Sequence, residues 1–183
     1  MKRGLLVVIS ALVLGGCASA AKMENIAAEN TSVAYPSELK QSTSRVQVSG
    51  GQETNPLLTA KVSNAAFSQA LENSLKAADL WSEEGRLLLT ADILQASSPM
   101  VGISMKATIS VEYTLMTQDS RAVRLQKTIT TTGKATPGDA FIAATRQRIA
   151  MERSAKENIE ALLRILSEMN SLSLGMQPSA EQR

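Results

Sequence analysis

The residues that could perform chemistry are mainly carboxylates and serines. Asp92 and Glu112 lie at polar positions of two neighbouring predicted strands, where they could approach each other like the paired acids of a glycosidase. Threonines and a serine adjoin both carboxylates, which favours an ordinary polar sheet face instead. Glu83-Glu84 lies in a polar connection and is typical of a solvated turn. No serine stands in a G-x-S-x-G pattern, so the sequence indicates no hydrolase nucleophile.

Composition excludes several kinds of site. The 183 residues include no histidine, which excludes a Ser-His-Asp or Cys-His relay and an imidazole metal site. One cysteine allows neither an internal disulfide nor a thiolate zinc cluster. Two Phe, two Tyr and one Trp do not supply a base-stacking platform, so we expect no nucleic-acid partner. We therefore expect a protein that is not an enzyme and that uses no metal and no cofactor.

The N-terminus has the pattern of an export signal. Basic residues at positions 2 and 3 precede ten uncharged residues, 5–14. This run has the length of the apolar region of a signal peptide, whereas a spanning helix needs about 20 residues. We predict a signal peptide over residues 1–16, with the mature chain beginning at Cys17.

The residues at the predicted cleavage site, Leu14-Gly15-Gly16-Cys17, resemble the lipobox of bacterial lipoproteins. The resemblance implies that Cys17 receives diacylglycerol and an N-linked acyl chain such as palmitate. Several acyl chains would anchor the protein stably, because one chain alone binds a membrane only marginally. Ala18 and Ser19 follow the cysteine, which implies an outer-membrane lipoprotein that faces the periplasm. The alternative is an ordinary secretory signal with a buried free cysteine.

Positive charge gathers between Ser120 and Lys156, where eight basic and two acidic residues give a net charge of +6. Arg146, Arg148 and Arg153 lie on a predicted helix in this segment. Their spacing puts Arg146 and Arg153 on one face and Arg148 on another. They are candidates for contact with an acidic partner such as lipid phosphate or an envelope polyanion, and a solvated helix surface is the alternative.

Hydrophobic periodicity predicts the first two elements of the domain. Val46 and Val48 alternate with polar residues in a short strand that stops at glycines 50–51. A helix follows, with Ser63 or Asn64 as its N-cap. Its predicted apolar face consists of Phe67, Ala70, Leu71, Ser74, Leu75 and Ala78.

Three strands and a long helix complete the prediction. The strands cover 86–96, 105–115 and 123–133, and the short links between them predict an antiparallel meander. The second strand alternates strictly between apolar and polar residues, which indicates one buried and one polar sheet face. Asp139 is the predicted N-cap of the long helix. Glu152 is the single charged residue in the apolar stripe of that helix.

These elements predict an α+β fold, a two-layer sandwich in the order β-α-β-β-β-α. Its mainly antiparallel sheet would carry both helices on one face. We place this domain at residues 45–172. Residues 17–44 are small and polar and predict a lipid-anchored flexible tether, with a short packed segment around Val33 to Tyr35 as the alternative. Residues 173–183 predict a disordered tail.

Residues Val46 to Leu166 also resemble the YajG-like outer-membrane lipoproteins. The shared outline is an early β-α unit with Phe67-Ser-Gln-Ala-Leu71, a meander with Tyr113 and a long C-terminal helix. The resemblance implies a non-catalytic binding or structural role and adds no site residues. We therefore expect an accessory subunit held to the membrane through Cys17 that contacts another envelope protein. A small-ligand or lipid-binding periplasmic domain is the alternative.

Overall fold

A computed structural model describes residues 21–28, 33–52, 61–99 and 102–169. The predicted signal peptide 1–16, Cys17 and the predicted tail 173–183 lie outside these ranges. The helices and strands are α1 (Met23–Ile26), β1 (Thr43–Ser49), α2 (Asn64–Ala77), β2 (Leu87–Ser97), β3 (Met105–Thr117), β4 (Val123–Ala135) and α3 (Ala143–Glu168). From β1 onward, their order is the predicted β-α-β-β-β-α.

The four strands form one sheet in the order β1-β2-β3-β4. β2, β3 and β4 are the predicted antiparallel meander. β1 pairs with β2 in parallel, and α2 makes the crossover that parallel neighbours require. The sheet is therefore mainly antiparallel, with one parallel strand at its edge.

The core lies between α2, α3 and one face of the sheet. Alternate residues of β3 are buried from Met105 to Thr117, as its period-two pattern predicts. Buried side chains of both helices and of the sheet form one hydrophobic cluster. The Ser63 side chain accepts a hydrogen bond from the backbone N–H of Ala66 at 3.2 Å and caps α2 as predicted. The two-layer α+β sandwich is confirmed.

Helix α3 lies directly against β4 at Gly133. A Cβ atom at this position would overlap the backbone oxygen of Ala150 and the backbone nitrogen of Ser154. Beside this contact, Thr131 Oγ1 donates a hydrogen bond to the carbonyl oxygen of Ser154 at 2.7 Å, and Ser154 Oγ donates to that of Thr131 at 3.0 Å. The absence of a side chain at Gly133 therefore allows the helix and the strand to bond directly.

The prediction that Asp139 caps α3 is wrong. The N-cap position is Ile142, which makes no side-chain capping bond. The Asp139 carboxylate instead accepts hydrogen bonds from the backbone N–H and the hydroxyl of Thr136, at 2.8 and 3.0 Å. It also accepts a bond from Arg153 at 2.6 Å. The turn through residues 137–138 directs the carboxylate to the Thr136 donors and to the Arg153 side chain, and not to the backbone N–H groups at the start of α3.

Part of the predicted tether lies against the domain. Ile26 and Leu39 are buried in the core. The backbone N–H of Ala28 donates to Ser74 Oγ on α2 at 2.9 Å. Within the range 17–44, Ile26, Ala28 and Leu39 therefore pack against the domain, and the folded domain includes residues before the predicted boundary at 45. The physical reason is that a few apolar side chains in a polar segment are enough to cover an exposed part of a core.

Candidate functional site

Glu152 connects the segment that follows Cys17 to α3. Its side chain is buried, and Oε1 accepts a hydrogen bond from the backbone N–H of Lys22 at 2.9 Å. Oε2 accepts one from Asn25 Nδ2 at 2.8 Å. Arg148, one helical turn earlier, forms an ion pair with Oε1 at 2.6 Å. Because a buried charge is costly without partners, these contacts explain why a carboxylate can interrupt the apolar stripe.

A second buried polar contact joins α3 to the sheet. The Tyr113 hydroxyl donates to Asn158 Oδ1 at 2.8 Å, and Asn158 Nδ2 donates to the carbonyl oxygen of Ile129 at 2.9 Å. Burial raises the pKa of the Tyr113 phenol far above its ordinary value of 10.0 and keeps it a hydrogen-bond donor. A buried phenol and amide that satisfy each other indicate a structural role.

Arg146, the first candidate contact residue, is buried rather than open to a partner. Its Nη1 donates hydrogen bonds to the carbonyl oxygens of Ala140 and Phe141, at 2.8 and 2.6 Å. Arg146 therefore ties the connection before α3 to the first turns of the helix. The sequence placed it on one face with Arg153, but it points into the fold.

Arg148 and Arg153 are also bound within the protein. Arg148 is largely buried in its ion pair with Glu152. Arg153 is half-exposed, bonds to Asp139 and donates to the carbonyl oxygen of Lys134 at 2.7 Å. Its guanidinium, together with the Thr136 donors, holds the pKa of the Asp139 carboxyl well below its usual range. The structure therefore does not bring the three arginines together as one open basic surface.

Asp92 and Glu112 are direct cross-strand partners of β2 and β3. Asp92 Oδ1 accepts a hydrogen bond from the Ser49 hydroxyl at 2.9 Å. On the other side of Glu112, the cross-strand partner is Thr128 of β4. Both carboxylates thus lie on the hydroxyl-rich face of the sheet, opposite the helices, as the interpretation as a polar sheet face expects.

Two grooves open at the surface, away from the interface between the helices and the sheet. One holds about 250 Å³ and is lined in part by Val33, Tyr35 and Ala78. The other holds about 280 Å³ and is lined in part by residues 37–42 and 84–86. The space between helices and sheet is occupied by fully buried side chains, among them Phe67, Tyr113 and Met151.

Sequence reasoning missed two features that bear on function. One is the role of Glu152, for which the available signal was a single charge within an apolar stripe. The other is the exposure of Phe141 and Ile142 just before α3, which no periodicity marks.

Among residues 21–28, 33–52, 61–99 and 102–169, no three His, Cys, Asp or Glu side chains are placed to hold a metal ion. The same ranges contain no helix that is long and apolar enough to cross a bilayer.

No family model matches the chain, and no curated protein matches it. Its fold is similar to that of solved bacterial proteins. PelC from Paraburkholderia phytofirmans, a dodecamer, is 16% identical, with a TM-score of 0.52 over 75% of this chain and 96% of that one. A Xanthomonas campestris protein of family DUF330 is 13% identical, with a TM-score of 0.51 over 76% and 90%. At these identities, the similarity shows the fold alone.

Proposed function

We propose that the protein is a lipid-anchored outer-membrane lipoprotein that faces the periplasm and binds or supports another envelope component without catalysis. The observation that supports this most directly is the packing of the segment that follows Cys17. Lys22 and Asn25 are bonded to Glu152, so a lipid on Cys17 would be attached through a short link to a folded domain. This arrangement suits a domain that works beside a membrane.

The placement of the polar residues favours a binding or structural role over catalysis. Tyr113 and Asn158 satisfy each other in the core, and Asp92 and Glu112 lie on an open sheet face. Because the candidate arginines bond within the fold, we assign partner contact to the polar face of the sheet instead. A second copy of this chain is one candidate partner, since the similar PelC structure is a dodecamer.

A small-ligand or lipid-binding domain is less well supported. Such domains usually enclose their ligand in a pocket of roughly 300–1,000 Å³. The two described grooves hold about 250 and 280 Å³ and open at the surface. The helix–sheet interface, the other place where a domain of this fold could enclose a ligand, is filled by side chains.

Replacement of the cysteine tests the anchor. In cells fed labelled palmitate, the wild-type chain should carry label and fractionate with the outer membrane. Cys17→Ser should lose both, whereas Ser19→Ala, two residues away, should keep both. Membrane attachment that survives in Cys17→Ser would contradict the proposal.

A photoreactive residue on the polar face tests the partner contact. Placed at Thr128 or Thr130, both exposed on β4, it should crosslink in living cells to an envelope protein or to a second copy. Placed at exposed Glu83, in the connection before β2, it should not. Equal crosslinking from both regions would count against a specific contact through the sheet.

A further inference from the structure

Three large apolar side chains are exposed at one end of the domain. Phe141 and Ile142, between β4 and α3, are 96% and 58% exposed, and Ile103, between β2 and β3, is 80% exposed. Single exposed apolar residues are common on soluble domains, but apolar tips on neighbouring loops often mark an interaction site. Ile103, Phe141 and Ile142 are therefore candidates for an interaction site.

The two connections that carry them are neighbours. β3 begins where β4 ends, since Met105 pairs with Ala135. Near the start of α3, Gln147 Nε2 donates a hydrogen bond of 3.0 Å to the carbonyl oxygen of Pro99. Pro99 shortly precedes Ile103 in the connection between β2 and β3. The apolar side chains thus share the end of the sheet at which β2 and β4 finish.

The described N-terminal segment starts at this same end. The backbone N–H of Ala21 donates to the carbonyl oxygen of Lys61 at 3.4 Å, and Lys61 Nζ donates to that of Ala96, near the end of β2, at 2.9 Å. Cys17 is four residues before Ala21. A chain of that length spans at most about 14 Å, so a lipid on Cys17 must enter the membrane close to this end.

The connection that presents Phe141 is held in place. Arg146 binds the carbonyl oxygens of Ala140 and Phe141, while Asp139 binds Thr136 and Arg153. The backbone is therefore ordered although the Phe141 ring faces solvent. Insertion of this side chain into another phase would not require the connection to be ordered first, which lowers the entropic cost of binding.

Two cations accompany the apolar side chains. Lys106 and Lys134 are exposed and stand directly opposite each other on β3 and β4, next to the last pair of the sheet. Like charges in this position repel each other. Within the described part of the chain, neither ammonium group has a carboxylate partner. An anionic surface would relieve the repulsion.

We propose that this anchor end, defined as Ile103, Lys106, Lys134, Phe141 and Ile142, docks on the phospholipid surface beside the acylated cysteine. The apolar side chains insert among the headgroups and upper acyl chains, and the two lysines contact lipid phosphates. The inference rests on the proposed lipidation of Cys17 and adds an orientation: the domain sits on the membrane by this end, with the start of β4 directed away from it.

Quenching of tryptophan emission by brominated lipid tests this orientation. Phe141→Trp and Val123→Trp are each built on Trp81→Phe, which removes the native tryptophan. Val123 is also exposed, but it lies at the opposite end of β4 and is the matched control. The purified acylated proteins are reconstituted in vesicles of phosphatidylethanolamine and phosphatidylglycerol, with and without bromine on the acyl chains.

The proposal predicts that brominated lipid removes much of the emission at position 141, because an interfacial side chain lies about 5–10 Å deep. Emission at position 123 should not change. Lys106→Glu with Lys134→Glu should reduce the quenching at 141. If the acylated protein shows equal quenching at both positions, the docking is overturned but the proposed function is not. The docking is likewise overturned if sedimentation shows that self-association protects position 141 from the lipid. Mass spectrometry that finds no acyl chain on Cys17 would overturn the proposed function as well.

Discussion

The backbone N–H of Lys22 donates a hydrogen bond of 2.9 Å to Glu152, a residue 130 positions away in the sequence. This bond ties the segment after the predicted anchor cysteine to the helix whose first turns hold the Phe141 connection. Asn25 adds a second bond to the same carboxylate, at 2.8 Å. Glu152 therefore sets how closely a lipid on Cys17 can be held to the domain.

Replacement of Glu152 should release the N-terminal segment. Glu152→Ala removes the acceptor of Lys22 and Asn25 and leaves Arg148 without its ion pair. We expect a loss of about 1–3 kcal/mol in the free energy of unfolding and faster hydrogen exchange at residues 22–28. Urea unfolding and exchange mass spectrometry measure the two effects. Glu157→Ala, an exposed position on the same helix, is the control, and unchanged exchange in Glu152→Ala would show that the bonds do not hold the segment.

Tyr113 should make stability fall at alkaline pH. Its folded-state pKa lies far above 10.0, so the unfolded phenol ionises first as the pH rises. The unfolded state then binds fewer protons than the folded state, and the free energy of unfolding decreases above about pH 10. Tyr113→Phe removes this contribution, and the difference between the two unfolding curves should shrink as the pH rises. A difference that stays constant from neutral to alkaline pH would refute the assignment.

Gly133 should tolerate no side chain. Gly133→Ala places a Cβ against the backbone of α3 at Ala150 and Ser154. We expect a loss of about 1–3 kcal/mol, as for other overpacked sites, measured by chemical denaturation. Gly138→Ala is the matched control, because its Cβ would lie 3.6 Å from the nearest atom, Thr136 Oγ1. Equal stability of the two variants would mean that α3 can move away from β4 without cost.

The facing carboxylates of Asp92 and Glu112 should lower the free energy of unfolding slightly. Glu112→Gln removes one of two like charges on directly paired residues and should raise the free energy of unfolding by about 0.2–1 kcal/mol. Salt screens surface charges, so the gain should decrease at high ionic strength. Glu83→Gln, at an exposed position in a connection, should change little. A lower stability in Glu112→Gln would indicate that the carboxylate has a favourable partner.

Elements with a strong local signal were predicted well. The alternation from Met105 to Leu115 identified β3 and its buried face, and Ser63 was one of the two predicted caps of α2. The Asp139 prediction failed because a cap is defined by where the backbone enters the helix. An aspartate after Pro-Gly is equally able to bond to its own turn.

The candidate site depended more on distant contacts. Arg146 and Arg153 share a helix face by spacing, yet one is buried and the other lies at the surface. Spacing along a helix gives the relative direction of two side chains, but not which part of the fold lies beside each of them. The Arg146 side chain is held by hydrogen bonds to carbonyl oxygens of the preceding connection, whereas Arg153 is held at the surface by its bond to Asp139.

The sequence by itself determined the order of the elements, the apolar faces of β3 and α2, and the lipobox-like residues up to Cys17, because each is a pattern within a few neighbouring residues. Only the tertiary structure decided the bonds of Glu152 to Lys22 and Asn25, the close approach at Gly133 and the gathering of Ile103 and Phe141 at one end. Each of these depends on residues brought together from distant parts of the chain. Periodicity indicates which face of an element is buried, whereas the tertiary structure determines which residues pack against that face.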